Sequence, residues 1–174
     1  MNNKIQKVIE LGGIFSVVLS LLFVGYQLIL DRRVAMGEAY QARSISRQEV
    51  HIEFLTDESY VRLLAEEWIS ERPRFWFDAL EAEFRSSEKS EIDAMEEVAR
   101  KYLRAQSEVV GIDNTFVQFE LGLLEEGTWN DMAEITERLV TTDPYRYAGY
   151  NATSTTHPDF KEFLSQFEYE RNGT

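Results

Sequence analysis

The chain begins with an apolar block and then shows helical spacing of apolar residues almost to its end. Residues 11–30 contain no charged residue, and Asp31, Arg32 and Arg33 follow them directly. At about 1.5 Å rise per residue, a helix of this length spans about 30 Å, which matches a bilayer core. A cleaved signal peptide is the competing interpretation, but its apolar core has about 7 to 15 residues and ends at a small-residue cleavage site. The pattern therefore favours a retained transmembrane helix.

The residues that follow predict a stalk and then a series of helices. Residues 31–56 lack proline and show a loose helical spacing, so we expect the membrane helix to continue as a stalk that packs on the domain or on a copy of itself. Asp57 predicts a new N-cap, and Pro73 predicts a further helix start. The clearest pattern consists of two interleaved seven-residue repeats, which predict one long helix from about Ser87 to Leu124. The repeats are Met95, Tyr102, Val109, Phe116 and Leu123, and Val98, Ala105, Ile112 and Phe119.

The C-terminal part predicts two more helices and a loop. We expect Gly127 to end the long helix, a helix to cover about residues 128–141, and a last helix to begin at Pro158. The segment from Tyr145 to His157 is expected to be a loop. No strand-like alternation occurs, so the predicted fold is all-α: a transmembrane helix continuing into a stalk, then an acidic helical bundle with one long heptad-patterned helix. The predicted domains are residues 1–30, 31–56 and 57–174.

Charge is concentrated after the apolar block. Of 31 acidic and 18 basic residues, only Glu10, Lys4 and Lys7 precede residue 31, which leaves 30 acidic and 16 basic residues and a net charge of −14. Such a domain is repelled by nucleic-acid phosphates, so nucleic-acid binding is excluded as a function class. The C-terminal flank of the apolar block carries slightly more positive charge than the N-terminal flank, so the positive-inside tendency favours a cytoplasmic domain. The absence of cysteine fits a reducing compartment and equally a periplasmic one.

Small residues recur along one face of the predicted membrane helix. Gly12, Ser16 and Ser20 lie four residues apart, and Gln27 stands near the far end. In lipid, small residues and polar side chains of this kind mediate helix association, so these four residues are predicted to bind a partner helix. The alternative is that Gly and Ser are simply common in membrane helices and that Gln27 reaches the headgroups.

Two segments of the domain are candidate docking surfaces. The first is defined by Trp68, Arg72, Phe75 and Trp76, which could rest on lipid headgroups or bind a partner subunit. The alternative is that positions 76, 80 and 84 merely face the core. The second segment is the predicted loop, with the residues Tyr145, Arg146, Tyr147 and Tyr150.

The sequence offers no catalytic arrangement, and we predict no catalytic, cofactor-binding or metal-binding residue. A di-iron bundle needs Glu-x-x-His pairs, and no Glu stands three residues before either His51 or His157. His51 is expected to be solvated on the stalk rather than bound to a metal. Ser154 near His157 lacks a nucleophile elbow, and residues 151–153 match a glycosylation acceptor only for a eukaryotic lumenal domain.

Several short segments carry a resemblance to a known group of proteins. They are Gly12-Gly13, the run from Ser20 to Gln27, the run from Gln118 to Leu124 ahead of Trp129, and the run from His157 to Phe160. In this order the chain resembles a group of small single-span proteins of marine and other Gram-negative bacteria. The resemblance implies a bacterial inner-membrane protein with a helical domain, and it carries over no catalytic residue.

Two functions fit these observations best. One is a non-catalytic, membrane-anchored accessory or assembly subunit that binds lipid and either other transmembrane subunits or itself. The other is a membrane-tethered sensor whose helical domain binds a small ligand or a protein signal. An enzyme ranks third, because the residue patterns that carry catalytic geometry are missing.

Overall fold

The structure, a computed structural model, describes residues 3–152 and 156–169, with side chains described from residue 10 onward. Within these ranges it contains seven α-helices and no strand, which confirms the all-α prediction. The helices are α1 (Asn3–Thr56), α2 (Glu58–Ser70), α3 (Asp78–Arg85), α4 (Glu91–Glu120), α5 (Glu126–Thr142), α6 (Pro144–Ala152) and α7 (Pro158–Leu164).

Helix α1 is one uninterrupted helix of 54 residues, as expected for a membrane helix that continues into a stalk. Its apolar segment is long and apolar enough to cross a membrane, and 0% of that segment is buried inside the protein. From Gly37 onward, one side of α1 lies against α4. Ser44 is buried there, and its hydroxyl donates a hydrogen bond to the carbonyl oxygen of Val110 at 3.0 Å. The stalk therefore packs on its own domain.

Helices α1 and α4 run antiparallel. The Nε2 of Gln48 donates to the carbonyl of Ser107 at 3.3 Å, and Nη1 of Arg100 donates to the carbonyl of Leu55 at 3.4 Å. At the other end, Gly37 lies beside the side chain of Leu123. The C-terminal end of α4 is therefore close to the apolar segment of α1, and its N-terminal end is far from it.

The start of α2 agrees with its sequence prediction, and the start of α3 does not. A carboxylate oxygen of Asp57 accepts hydrogen bonds from the backbone N–H groups of Ser59 and Tyr60, which makes it the N-cap of α2. Pro73 does not begin a helix. Its carbonyl instead accepts from the N–H of Trp76 at 2.9 Å in an irregular segment, and α3 begins only at Asp78.

The long helix is confirmed, with ends slightly inside the predicted ones. Ser90 caps the N-terminus of α4 by accepting a hydrogen bond from the N–H of Asp93. Its C-terminus is closed by Gly122, whose φ of 70° lies in the left-handed region that favours glycine. The prediction that Gly127 ends this helix is wrong, because Gly127 lies inside the first turn of α5.

The predicted loop from Tyr145 to His157 is wrong for its first part, which is helix α6. Pro144 opens this helix as its first residue, where a missing N–H is harmless, and Asp143 accepts hydrogen bonds from the N–H groups of Tyr145 and Arg146. The predicted start of the last helix at Pro158 is confirmed. Residues 153–155, which include part of the glycosylation match and Ser154, lie outside the described residues.

Helix α4 is the axis around which the other helices pack. Two hydrophobic clusters lie along it, one with α2 and α3 and one with α5 and α7, and α6 contributes to both. Gly149 of α6 approaches α4 so closely that a Cβ there would lie 2.7 Å from the Cβ of Ala105. Gly111 marks a close crossing of α4 and α1, because a Cβ there would lie 2.8 Å from Nε2 of Gln48.

Candidate partner-binding groove

An open groove lined by aromatic side chains lies on the domain. We call it the aromatic groove, and its volume is about 900 Å³. Its aromatic walls are Phe75, Trp76 and Phe77 before α3, Tyr102 of α4, Tyr147 of α6 and Tyr169 after α7. Arg74, Asn151 and Glu168 add polar groups at its edge. Four separate stretches of the chain therefore build this one surface.

The rings of the groove contact one another directly. Phe75 stacks on Tyr102 with ring centroids 4.0 Å apart and planes inclined by 11°. Phe77 lies edge-on to Tyr147 at 5.4 Å and to Tyr169 at 5.5 Å. Aromatic pairs in such geometries are stabilising beyond their buried area. They hold the irregular segment before α3 against α4 and α6.

Groups behind the groove fix the orientation of its rings. Buried Trp68 lies edge-on to Phe75 at 5.1 Å and to Tyr102 at 5.4 Å. The guanidinium of Arg72 lies 4.8 Å from the ring of Trp76, and its Nη1 donates to the carbonyl of Trp68 at 2.7 Å. Burial raises the pKa of Tyr102 to about 12, so its phenol stays protonated at neutral pH. The groove is thus a preformed surface with fixed rings.

The ring of Trp76 is anchored from its polar side as well. Its indole N–H donates to Glu81 at 2.8 Å, and the same carboxylate accepts a hydrogen bond from Arg85 at 2.6 Å. The hydrogen bond from Arg85, followed by the one from Trp76, lowers the pKa of Glu81. Glu81 is therefore ionised at neutral pH and keeps the edge of the indole in place.

The structure brings part of the two predicted docking segments together. Phe75 and Trp76 from the first segment and Tyr147 from the second line the same groove, while Arg72 supports it. Leu80 is buried, and Trp76 and Phe84 are half-buried against the same hydrophobic cluster, so the alternative that this stripe faces the core is confirmed at all three positions. Trp76 also lines the groove.

Other predicted docking residues do not reach the surface. Trp68, Tyr145 and Tyr150 are buried, with exposed fractions of 6%, 7% and 1%, so the expectation that they form a docking surface is corrected. The physical reason is that each lies on the side of its helix that faces α4, where apolar burial is largest. Aromatic residues clustered in sequence therefore divide between the core and the groove.

Arg146 belongs to a second, charged groove of about 550 Å³ beside α4 and α6. Its guanidinium donates two hydrogen bonds to Glu108, at 2.8 and 3.2 Å, and one to Asp143 at 2.6 Å. The hydrogen bond with Glu108 raises the pKa of Arg146 further above its ordinary value. Lys101 is paired with Glu83 at 2.9 Å on the opposite wall. These five charged groups satisfy one another, so they form a structural network along the walls of the charged groove.

A buried carboxylate on α4 was not foreseen from the sequence. Asp113 has an exposed fraction of 0%, and it accepts hydrogen bonds from the hydroxyl of Tyr40 at 2.6 Å and from the backbone N–H of His157 at 2.7 Å. Arg47 lies 3.8 Å from the same carboxylate. Burial, followed by the hydrogen bond to Asp113, raises the pKa of Tyr40 to about 12. The sequence pattern that could have revealed this buried group is the position of Asp113, an acidic residue, within the apolar stripe of the long helix.

The expectation that His51 is solvated is also corrected. His51 is half-buried against the domain, and its Nδ1 is buried without a hydrogen-bond partner. Burial, followed by the charge of Arg47, lowers the pKa of His51, so the ring is neutral at pH 7. Among the described residues, no group of three or more His, Cys, Asp or Glu side chains is arranged to hold a metal ion.

The predicted membrane face is exposed along the apolar part of α1. The hydroxyl of Ser16 donates to the carbonyl of Gly12 at 2.9 Å, and that of Ser20 donates to the carbonyl of Ser16 at 2.8 Å. Both hydroxyls thus form their hydrogen bonds within α1. The small residues Gly12, Ser16 and Ser20 lie on the same side of the helix as Gln27. Such a surface fits against lipid or another helix.

No protein-family model, curated protein sequence or solved structure matches this chain. The resemblance drawn from the short segments of the sequence therefore stays a prediction.

Proposed function

We propose that this protein is a non-catalytic, membrane-anchored accessory or assembly subunit of a bacterial inner-membrane complex. Residues 11–30 of α1 anchor it, and the aromatic groove binds a protein partner. The observation that carries the proposal is the groove itself, in which half-exposed rings from four stretches of the chain form one fixed, open surface. Clustered aromatic side chains with an arginine at the rim are typical of protein interfaces.

The position of the groove favours a partner in the aqueous phase over lipid headgroups. Tyr102 precedes Leu121 by 19 residues of sequence, which corresponds to about 29 Å along α4. Leu121 and Leu123 lie beside Gly37, within two turns of the end of the apolar segment. An anchor in residues 11–30 therefore holds the groove about one bilayer-core thickness away from the membrane surface.

The charge of the domain supports the same assignment. Its net charge of −14, from 30 acidic and 16 basic residues after residue 30, repels anionic lipid and favours a partner surface with basic residues. The arginines that follow the apolar segment favour a cytoplasmic location for the domain. Within the proposal, the stalk acts as a rigid spacer, because it is continuous with the anchor and packed on α4.

The proposal is tested by purifying the full chain from its native membranes in a mild detergent and measuring the mass of the particle. We expect a mass that exceeds the chain and its simple multiples. The double variant Phe77→Ala and Tyr147→Ala should lose the extra mass while it stays folded by circular dichroism. Leu63→Ala serves as the matched control, because Leu63 is a large apolar side chain with an exposed fraction of 63% outside the groove.

Two results contradict the proposal. One is a particle that contains this chain alone, and the other is an associated protein whose retention is indifferent to the groove variant. Recovery of the chain in the soluble fraction, without detergent, contradicts the anchoring part.

A membrane-tethered sensor is a second candidate, and one observation favours it. The groove wall at Tyr169 follows α7, and the segment leading into α7 is bonded through Asp113 to Tyr40 of the stalk. A ligand in the groove could thereby act on the stalk through a continuous set of contacts. A thermal-shift screen of metabolites on the purified chain tests this, and a response that Tyr147→Ala abolishes supports it. Silence across the panel contradicts it.

A further inference from the structure

The stalk part of α1 carries two distinct faces. Toward α4 it places Gly37, Ser44 and His51, which recur every seven residues and are buried or half-buried. On the opposite side it places Ala35, Ala39, Ala42 and Ser46, all of them exposed. Their alternating spacing of four, three and four residues is the a/d spacing of a coiled coil. We call this side the open face.

Each flank of the open face carries one exposed charged side chain and one exposed apolar side chain. Glu38 and Ile45 lie on one flank, and Arg43 and Val50 lie on the other. Ile45 and Val50 have exposed fractions of 47% and 43%, although they belong to a helix that already packs on a domain. Among the described residues, neither Glu38 nor Arg43 forms an ion pair. The flanks thus offer unpaired charges of opposite sign and uncovered apolar groups.

We propose that the open face binds the open face of a second copy of this chain in a parallel helix pair. The parallel direction rests on the proposed function, because two copies anchored in one membrane with the same topology run the same way. In a parallel coiled coil, the flank of one helix meets the opposite flank of its partner. Glu38 then faces Arg43 of the second copy, and Ile45 faces Val50 of the second copy.

Charge complementarity identifies a second copy as the occupant. Both members of each flanking pair are present on this one helix, at the offset that a parallel pair requires. The domain lies on the opposite side of α1, so two domains point away from each other without collision. The short side chains of Ala39 and Ala42 allow the two helices to approach closely. Anchoring in one membrane raises the effective concentration of the pair.

The sequence also sets the limits of this contact. The a/d spacing of the open face continues to Arg32 before Ala35, and to Glu49 and Glu53 after Ser46. Like charges at equivalent a and d positions of two identical helices repel each other, so the central row of the contact covers residues 35–46, and only Val50 on the flank extends beyond it. The contact between the two stalks is therefore about three helical turns long, and it lies next to the apolar segments of the two copies.

Single cysteines provide the first test, because the natural chain contains none. Full-length Ala42→Cys and Ala39→Cys chains in native membranes should form disulfide-linked dimers under mild oxidation. Gln41→Cys is the matched control, since it is exposed at the same height but lies outside the open face. Equal crosslinking at positions 41 and 42, no crosslinking at any of them, or a crosslink to a protein of different mass would overturn the inference.

Charge reversal provides the second test. In the Ala42→Cys background, Glu38→Arg or Arg43→Glu alone should lower the dimer yield severalfold, and the two together should restore it. Glu125→Arg, which reverses an exposed charge away from the stalk, should leave the yield unchanged. Failure of the double variant to rescue overturns the inference. A chain that stays in the membrane fraction without crosslinking overturns this pairing alone, whereas a chain absent from that fraction overturns the proposed anchoring as well.

Discussion

Asp113 shows how much a single buried residue can connect in this protein. Its carboxylate joins α4 to the stalk through Tyr40 and to the segment before α7 through the N–H of His157. A buried charge is stabilising only when its hydrogen-bonding capacity is used and a cation lies near. Tyr40, His157 and Arg47 supply these conditions.

Replacing Asp113 should therefore be strongly destabilising. We expect Asp113→Ala to lower the free energy of unfolding by about 2 to 4 kcal/mol, because it leaves the Tyr40 hydroxyl and a backbone N–H without partners. Urea unfolding of the detergent-solubilised chain measures the change. Asp159→Ala is the control, since the side chain of Asp159 is 66% exposed, and its effect should stay within about 0.5 kcal/mol. Equal effects of the two variants would contradict the role assigned to Asp113.

His51 makes the stability depend on pH in the mildly acidic range. Burial, followed by the charge of Arg47, lowers its pKa in the folded state from the ordinary 6.5. The unfolded chain therefore binds the proton more readily, so stability is full above pH 6.5 and falls as the pH drops through the folded pKa. We expect a smaller loss of thermal midpoint between pH 7.5 and pH 5.5 for His51→Gln than for the natural chain. Identical losses would show that His51 does not contribute.

At the scale of the helices, the contact between α4 and α6 depends on a glycine. A Cβ at Gly149 would lie 2.7 Å from the Cβ of Ala105, which is held by the backbone of α4, so the contact is relieved only if one helix moves away from the other. Gly149→Ala should therefore be destabilising by about 1 to 3 kcal/mol. Gly127→Ala, which meets no atom within 4 Å, should instead be neutral or stabilising by up to about 1 kcal/mol. Thermal unfolding of the two variants side by side tests the contrast, and a stable Gly149→Ala variant would contradict it.

The elements were largely predictable, and the exceptions have local causes. The seven-residue repeats predicted α4 because a helix buried along its whole length shows its period in the sequence. Helix α6 was missed because Pro144 stands at a helix start as readily as at a helix end. Likewise, Gly122 and Gly127 both follow the long apolar repeat, so either of them suits the end of α4. Only the φ of 70° at Gly122 shows which one ends the helix.

For the whole molecule, the anchor and the domain should be separable. None of the apolar segment is buried in the protein, so a chain lacking residues 1–30 should remain folded and dissolve without detergent, with its thermal midpoint unchanged within a few degrees. A chain lacking residues 1–50 loses the contacts of Tyr40, Ser44 and Arg47 with α4 and should fail to fold cooperatively. Circular dichroism melts of the two truncations distinguish these outcomes. A folded shorter chain would contradict the stalk's role in the domain.

The groove could be predicted only in part. The sequence pointed to Phe75, Trp76 and Tyr147 because aromatic residues are conspicuous, but it also pointed to Trp68, Tyr145 and Tyr150, which are buried. Whether an aromatic residue lies in the core or in the groove depends on which side of its helix meets α4. Such contacts between distant segments leave no period in the sequence.

By itself, the sequence determined the apolar segment, the all-α class and the long helix, since each depends on spacing along a single helix. The tertiary structure alone decided that the stalk packs on α4, that Asp113 is a shared buried acceptor, and that four stretches of chain meet in the aromatic groove. These features depend on long-range packing, in which the burial of one residue is set by residues far away in the chain. The spacing of apolar residues within one helix does not predict such long-range contacts.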